Sequence, residues 1–260
     1  MIKKIFNSLN LNLTRYKKSP FEFLLSSPRY EEMTIQLNNE SFRIADSLSF
    51  YWSYREIFID EIYKFKTKND SPFIIDCGSN YGTSILYFKK LYPNANIIGI
   101  EADPYIFKIL EGNILKSSYK DIQLYNSAIS NTDGFIDFYI EGADGGRTHN
   151  NSQSKKTVKV KTVNLDNIIN KEVDFLKMDI EGAETDVLCE LKNLKKVKQL
   201  FIEYHSFSDS KQVLGHLLST LTENGFRYYI HTQFSSKQPL IKTELQLGMD
   251  SQLNIFAKRI

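Results

Sequence analysis

The chain has 260 residues, 42% apolar, 25% charged and 13% aromatic, the make-up of a globular protein long enough to bury a substantial core. Thirty-three basic against 31 acidic side chains leave a formal charge of +2, which excludes a polyanion-binding surface spread over the whole molecule. Two cysteines, Cys77 and Cys189, are too few for a disulfide framework, so a reducing, cytoplasmic setting is expected. No apolar run approaches the roughly 20 residues that cross a bilayer. The N-terminus carries Lys3, Lys4, Arg15, Lys17 and Lys18 among Ile, Leu and Phe. It reads as a basic flank packed on the domain, with weak contact to a membrane surface as the alternative. Strands are expected at 33–37 and 42–46 around Asn38-Asn39-Glu40-Ser41, and an aromatic helix over 54–66. Residues 1–70 thus read as a helical and hairpin extension to a domain spanning 71–260.

From Phe73 the pattern changes to short apolar runs alternating with helical segments. FIIDC (73–77) is continuously apolar and closed by a turn, the sign of a strand buried on both faces. A helix over Thr83–Leu91, a strand at 97–101, a helix at 104–116 and a strand at 122–125 follow. Strands at 135–140 and 157–163 alternate with period two, flanking a polar loop that holds Arg147 and His149 as possible contacts for a polar substrate. Strands at 175–179 and 199–204 enclose a helix at 183–192. A helix at 211–223 and strands at 226–231 and 253–258 complete the chain. This alternation implies a mostly parallel sheet covered by helices on both faces, with ligands bound beyond the carboxyl ends of its strands.

Two sets of residues stand at those ends. The first is Asp76-Cys77-Gly78-Ser79-Asn80-Tyr81-Gly82, followed by Glu101-Ala102-Asp103 after the second buried strand. Glycines let the backbone turn and approach a ligand, and an acid ending the second strand suits the two hydroxyls of a ribose. The G-x-x-x-G spacing lacks the third glycine of a nicotinamide fingerprint and suits an adenosine ligand without a pyrophosphate. The second set is Asp179, Glu181, Glu184, Glu203 and His205. Such a cluster serves either a general base or a divalent cation. Glu184 also reads as a carboxylate stabilising the first turn of its helix, and His205 as a hydrogen-bonded core residue. Trp52, Tyr54 and Glu56 are candidates for an acceptor wall.

FIIDCGSNYGTS, IIGIEADP, VDFLKMDIEGAE and LFIEYHSF resemble the FkbM family of S-adenosylmethionine-dependent methyltransferases, over about residues 54–207. The resemblance implies a class I methyltransferase fold: a Rossmann-like α/β domain with seven strands ordered 3-2-1-4-5-7-6 and the last antiparallel. It implies methyl transfer to a hydroxyl of a glycan, sugar or other hydroxylated metabolite. Asp76, Gly78, Asn80 and Gly82 would form the cofactor loop, Glu101 would hold the ribose, and Ser127 would lie beside the adenine. A hydroxyl bonded to nearby backbone is an equal reading of Ser127. Asp179 would reach cofactor and acceptor. Asp179 and His205 are the leading candidates for the base, Glu181 and Glu203 for orienting groups, and Asp179, Glu203 and His205 for ligands of a Mg²⁺, Mn²⁺ or Ca²⁺ ion. A small-molecule or glycan acceptor is expected and a nucleic acid is not, because the acids would repel a phosphate backbone. A nicotinamide-dependent oxidoreductase and a non-catalytic binding module are the alternatives. The Lys-, Asn- and Ile-rich composition points to an AT-rich bacterial genome.

Overall fold

The computed structural model describes residues 18–139 and 157–259. The basic flank through Lys17 and the loop with Arg147 and His149 lie outside the described residues. Strands β1 (Met33–Leu37) and β2 (Glu40–Ile44) pair antiparallel with Leu37 opposite Glu40. The turn is therefore two residues, Asn38 and Asn39, with φ of 52° and 65°, the left-handed pair that a tight hairpin between twisted strands requires. The second strand begins two residues earlier than expected because this turn is shorter than the four polar residues suggest.

Ala45 and Asp46 instead lead into helix α1 (Ser47–Tyr54). Asp46 caps it, accepting from the Ser49 amide at 2.9 Å and pairing with Arg29 at 2.7 Å. The helix continues through a π-helical turn, Arg55–Ile59. The helix expected at 54–66 thus starts and ends earlier, and Tyr63 and Phe65 enter the core from non-helical chain.

Next come β3 (Phe73–Cys77), α2 (Thr83–Leu91), β4 (Asn96–Glu101), α3 (Pro104–Lys116), β5 (Ile122–Asn126), β6 (Ala128–Ser130) and β7 (Gly134–Tyr139). They are followed by β8 (Thr157–Asn164), α4 (Leu165–Ile168), β9 (Phe175–Met178), α5 (Glu184–Glu190), β10 (Gln199–Phe207), α6 (Leu214–Glu223), β11 (Phe226–Ser235) and β12 (Met249–Arg259). Seven strands form one sheet in the order β5-β4-β3-β9-β10-β12-β11, with β12 antiparallel to both neighbours. That order and that single reversed strand are those of the class I methyltransferase fold. Strands β6, β8 and β7 make a separate small sheet, and β6 has no counterpart in the sequence reading.

Side chains of β3 alternate between two apolar layers. Ile74 packs with the hairpin, α1, α2 and α3, whereas Ile75 and Cys77 pack with α5, α6 and the far strands. All three are fully buried, and each apolar side chain of that kind contributes about 1.5–3 kcal/mol. Burial on both faces fixes the register of β3, β4, β9 and β10 and so aligns their polar carboxyl ends.

Candidate active site

The first loop is held from below. Gly78 and Ser79 donate their amides to Ile100 O at 2.9 and 3.0 Å, and Ser79 Oγ bridges Asp76 O and the Ile100 amide. Gly78 has φ +82°, and a Cβ there would lie 1.8 Å from the carbonyl oxygen of Asp179. Only glycine lets the loop cross so close to the end of β9. Asn80 also has positive φ, 47°, and its amide donates to Glu101 Oε2 at 2.9 Å. Gly82 turns the chain into α2, where a Cβ would meet Leu110 at 2.8 Å.

Glu101 Oε1 accepts from the Asp103 amide at 2.8 Å, so both carboxylate oxygens are fixed by backbone. Each keeps a lone pair for a further donor such as a ribose hydroxyl. Burial pushes this carboxyl up to about 7. Ser127 donates its amide to Glu101 O at 3.0 Å, while its hydroxyl bonds to Asn126 O at 2.8 Å. The hydroxyl is thus satisfied by its own backbone, and Ser127 supports Glu101 through its amide.

Asp76 is fully buried at the end of β3 and sits opposite Lys177 in the parallel register. Ser84 Oγ donates to its Oδ2 at 2.5 Å, and Oδ1 faces the Lys177 ammonium at 3.3 Å. The same ammonium lies 3.2 Å from Asp179 Oδ2 and donates to Gly78 O at 2.7 Å. Burial alone would lower the lysine pKa, but Asp179 and Asp76 outweigh it and hold the group well above its ordinary value. Lys177 therefore ties the glycine loop to the acidic cluster. Sequence reading absorbed it into a buried strand. The signal was available: a lysine in a strand apolar on both faces must meet a carboxylate. Cys77, beside it, is a buried small side chain whose thiol pKa burial pushes up.

Beyond β9 the chain turns through Glu181 and Gly182, with φ of 59° and 105°. Glu184 closes that turn, accepting from the Ile180 amide at 3.1 Å and the Gly182 amide at 3.0 Å. It also lies 3.0 Å from Nδ1 of His205, so it is both a turn cap and the partner of the histidine. His205 Nε2 faces Glu181 at 3.6 Å, Glu203 at 4.0 Å and the Gln252 amide at 3.5 Å. Burial would lower its pKa, but Glu181 and Glu184 raise it well above the ordinary value. The shift favours the protonated imidazole, the form that donates rather than accepts. Glu203 is shifted up by burial and by Asp179, and its Oε1 accepts from the Gln252 amide. Among the described residues, donor atoms of Asp179, Glu181 and His205 lie within 4.8 Å of one another, a group that includes two of the three expected ligands and Glu181 beside them.

A cleft of about 600 Å³ opens over these groups, lined by Gly78, Asn80, Asp179, Glu181, Glu203 and His205. Asp76, Gly82, Glu101 and Ser127 are not among the residues that line it. Trp52 and Glu56 do line the cleft, whereas Tyr54 packs against Phe21 and Phe58. Gln233 and Gln252, absent from the sequence reading, complete the wall.

The Methyltransferase FkbM domain matches residues 76–228, more than half of the chain. The chain belongs to the FkbM methyltransferase family. Methyltransferase sdnD of Sordaria araneosa is 26% identical over 188 residues, covering 55% of this chain and 73% of that protein. The 2-O-methyltransferase NoeI of Sinorhizobium fredii is 29% identical over 168 residues, covering 56% and 67%. The crystal structure of Methyltransferase FkbM from Methylobacillus flagellatus KT aligns at a TM-score of 0.47 with 18% identity, over 74% of this chain and 45% of that one. Family membership makes this FkbM protein a methyltransferase and decides against the nicotinamide reading. Among the described residues no helix is long and apolar enough to cross a membrane.

Proposed function

We propose that this FkbM methyltransferase transfers a methyl group from S-adenosylmethionine to a hydroxyl of a glycan or other hydroxylated small molecule. The observation that carries the reading is the junction at Gly78, where the glycine loop crosses Asp179 beside a cleft lined by carboxylates and His205. The residues suit the cofactor: Glu101 has lone pairs left for a ribose, and Gly78 and Asn80 of the loop line the cleft. S-adenosylmethionine supplies the sulfonium methyl when bound. Asp76, Gly78, Asn80 and Gly82 shape the loop that receives it, and Glu101 holds the ribose hydroxyls.

On the acceptor side, a neutral hydroxyl is a weak nucleophile, and a positioned base is worth about 10²–10⁴-fold. Asp179 takes the hydroxyl proton. Lys177 beneath it balances the charge, and His205, kept cationic by Glu184 and Glu181, orients the carboxylates around the cleft. The acceptor proton therefore goes to Asp179 rather than to His205. Trp52 and Glu56, from the described part of the N-terminal extension, serve as part of the wall of the cleft.

The convergence of Asp179, Glu181 and His205 favours a second reading, in which they hold a divalent cation. Two carboxylates and one imidazole suit Mg²⁺, Mn²⁺ or Ca²⁺, which would acidify and orient the hydroxyl. His205 would have to give up its Nε2 proton, which the surrounding carboxylates oppose.

Calorimetric titration with S-adenosylhomocysteine, with NAD as control and with Mg²⁺ or EDTA present, tests both readings. Micromolar binding that is lost in Glu101→Ala is expected, without dependence on the cation. No heat from the folded protein would overturn the cofactor assignment, and a strict requirement for Mg²⁺ would promote the second reading.

A further inference from the structure

Trp52, Glu56, Gln233 and Gln252 line the cleft but fall outside residues 76–228, which match the family domain. They come from the two ends of the chain. Gln233 Nε2 on β11 donates to Glu56 Oε1 at 2.6 Å, so the helical extension and the C-terminal hairpin clasp one another at the cleft. Trp52 stands one helical turn before Glu56 and leaves half of its surface, 50%, in solvent.

The charges of the cleft say what this wall receives. Among the described residues, the cations that line it are Arg29, Lys177 and His205, and each meets a carboxylate. Arg29 lies 2.7 Å from Asp46, Lys177 lies 3.2 Å from Asp179, and His205 lies 3.0 Å from Glu184. Glu56 accepts from the Gln233 amide, and Glu203, 4.0 Å from His205, accepts from that of Gln252. A phosphate or carboxylate entering here would find its cations already engaged and two further acids beside it. Amides and carboxyl groups, by contrast, exchange hydrogen bonds with hydroxyls, and a half-exposed indole offers an apolar face.

We propose that Trp52, Glu56, Gln233 and Gln252 form the acceptor subsite of this protein and select an uncharged, polyhydroxylated ring, stacked on the indole and hydrogen-bonded to the clasp. The word acceptor rests on the methyl-transfer reading above; the binding site itself does not. Because the clasp lies outside the family span, it sets which hydroxylated ring this member takes, while the 76–228 core supplies the transfer machinery.

Trp52 is the single tryptophan of the chain, so intrinsic fluorescence reports this subsite directly. The full chain is titrated with neutral di- and trisaccharides and with uronate- and phosphate-bearing counterparts of the same size, with and without S-adenosylhomocysteine. A saturable change with at least one neutral saccharide is expected, with binding at least about tenfold weaker for its anionic counterparts. By calorimetry, Trp52→Ala and Gln233→Ala are each expected to weaken that saccharide by roughly tenfold, while Trp52→Phe retains most of the affinity and S-adenosylhomocysteine binds all three alike. No response to any neutral saccharide, or equal binding of the anionic ones, would overturn the subsite. Saccharide binding without any heat from S-adenosylhomocysteine would uphold the subsite and sink the methyl-transfer reading. The reverse pattern would remove the subsite alone.

Discussion

The two halves of the carboxyl edge are built differently. On the β3–β4 side, Glu101 is held by the backbone amides of Asn80 and Asp103 and Ser127 by Asn126 O, with Asp76, held by Ser84 and Lys177, as the exception. On the β9–β10 side polar groups are held by one another, with Lys177, Asp179, Glu181, Glu184, Glu203 and His205 sharing charge across two strands, the turn after β9 and the start of α5. Backbone donors stay fixed when a proton or ligand arrives. Side-chain partners can redistribute charge, which suits the half that faces the acceptor hydroxyl. Lys177 touches both halves with its charge, facing Asp76 and Asp179.

Removing it should therefore have the largest effect. Lys177→Met leaves Asp76 and Asp179 facing each other without a cation, and breaking a buried pair in this way costs about 3–5 kcal/mol. Urea unfolding checks it; a loss below about 1 kcal/mol, typical of exposed pairs, would show that the two halves are not coupled through this ammonium. Next in size is Gly78→Ala. A methyl group 1.8 Å from Asp179 O, at φ +82°, forces the loop away from β9. The expected cost is roughly 2–4 kcal/mol, with loss of S-adenosylhomocysteine binding even in the fraction that folds.

The difference between the halves also explains what was legible in the sequence. Strand ends and local caps are written in neighbouring residues. Asp103 followed by Pro104 marks the start of α3, where its carboxylate accepts from Tyr105 and Ile106, and both ends of that helix agree with the sequence reading. The Asp76-to-Gly82 loop and Glu101 were found for the same reason. The clasp between Glu56 and Gln233 spans 177 positions, and no periodicity encodes it. Lys177 was passed over because periodicity records burial and not what a buried charge meets. At the hairpin, four polar residues gave no hint that Asn38 and Asn39 alone would make the turn, so the second strand was placed two residues late.

Glu101 offers a smaller and sharper test of the backbone-held half. Its carboxyl is raised by burial from 4.5 to about 7, so the folded state keeps a proton that the unfolded chain has lost between those values. Stability should therefore fall as pH rises from about 4.5 to 7, and Glu101→Gln should flatten that part of the curve. Above pH 7, where the carboxyl is ionised, the same variant should weaken S-adenosylhomocysteine by roughly 10–100-fold, the size of a lost hydrogen bond to a charged group. An unchanged affinity would place the ribose elsewhere.

The finest distinction is at Glu184, which combines both kinds of support: it accepts backbone amides from Ile180 and Gly182 and faces His205 with its charge. Glu184→Gln keeps an acceptor for the amides and removes only the charge, so the fold should lose no more than about 1–2 kcal/mol. His205 should respond more. Its raised pKa means that its pairing stabilises the fold fully below the ordinary 6.5 and that this contribution disappears as pH rises through the folded value. Without the Glu184 charge the folded value must drop toward 6.5, moving the loss of stability to lower pH and freeing Nε2 to accept a proton. Imidazole NMR through a pH titration measures the shift directly. If His205 titrates unchanged in the variant, Glu181 and Glu203 keep it cationic, and Glu184 belongs with the backbone-held groups instead.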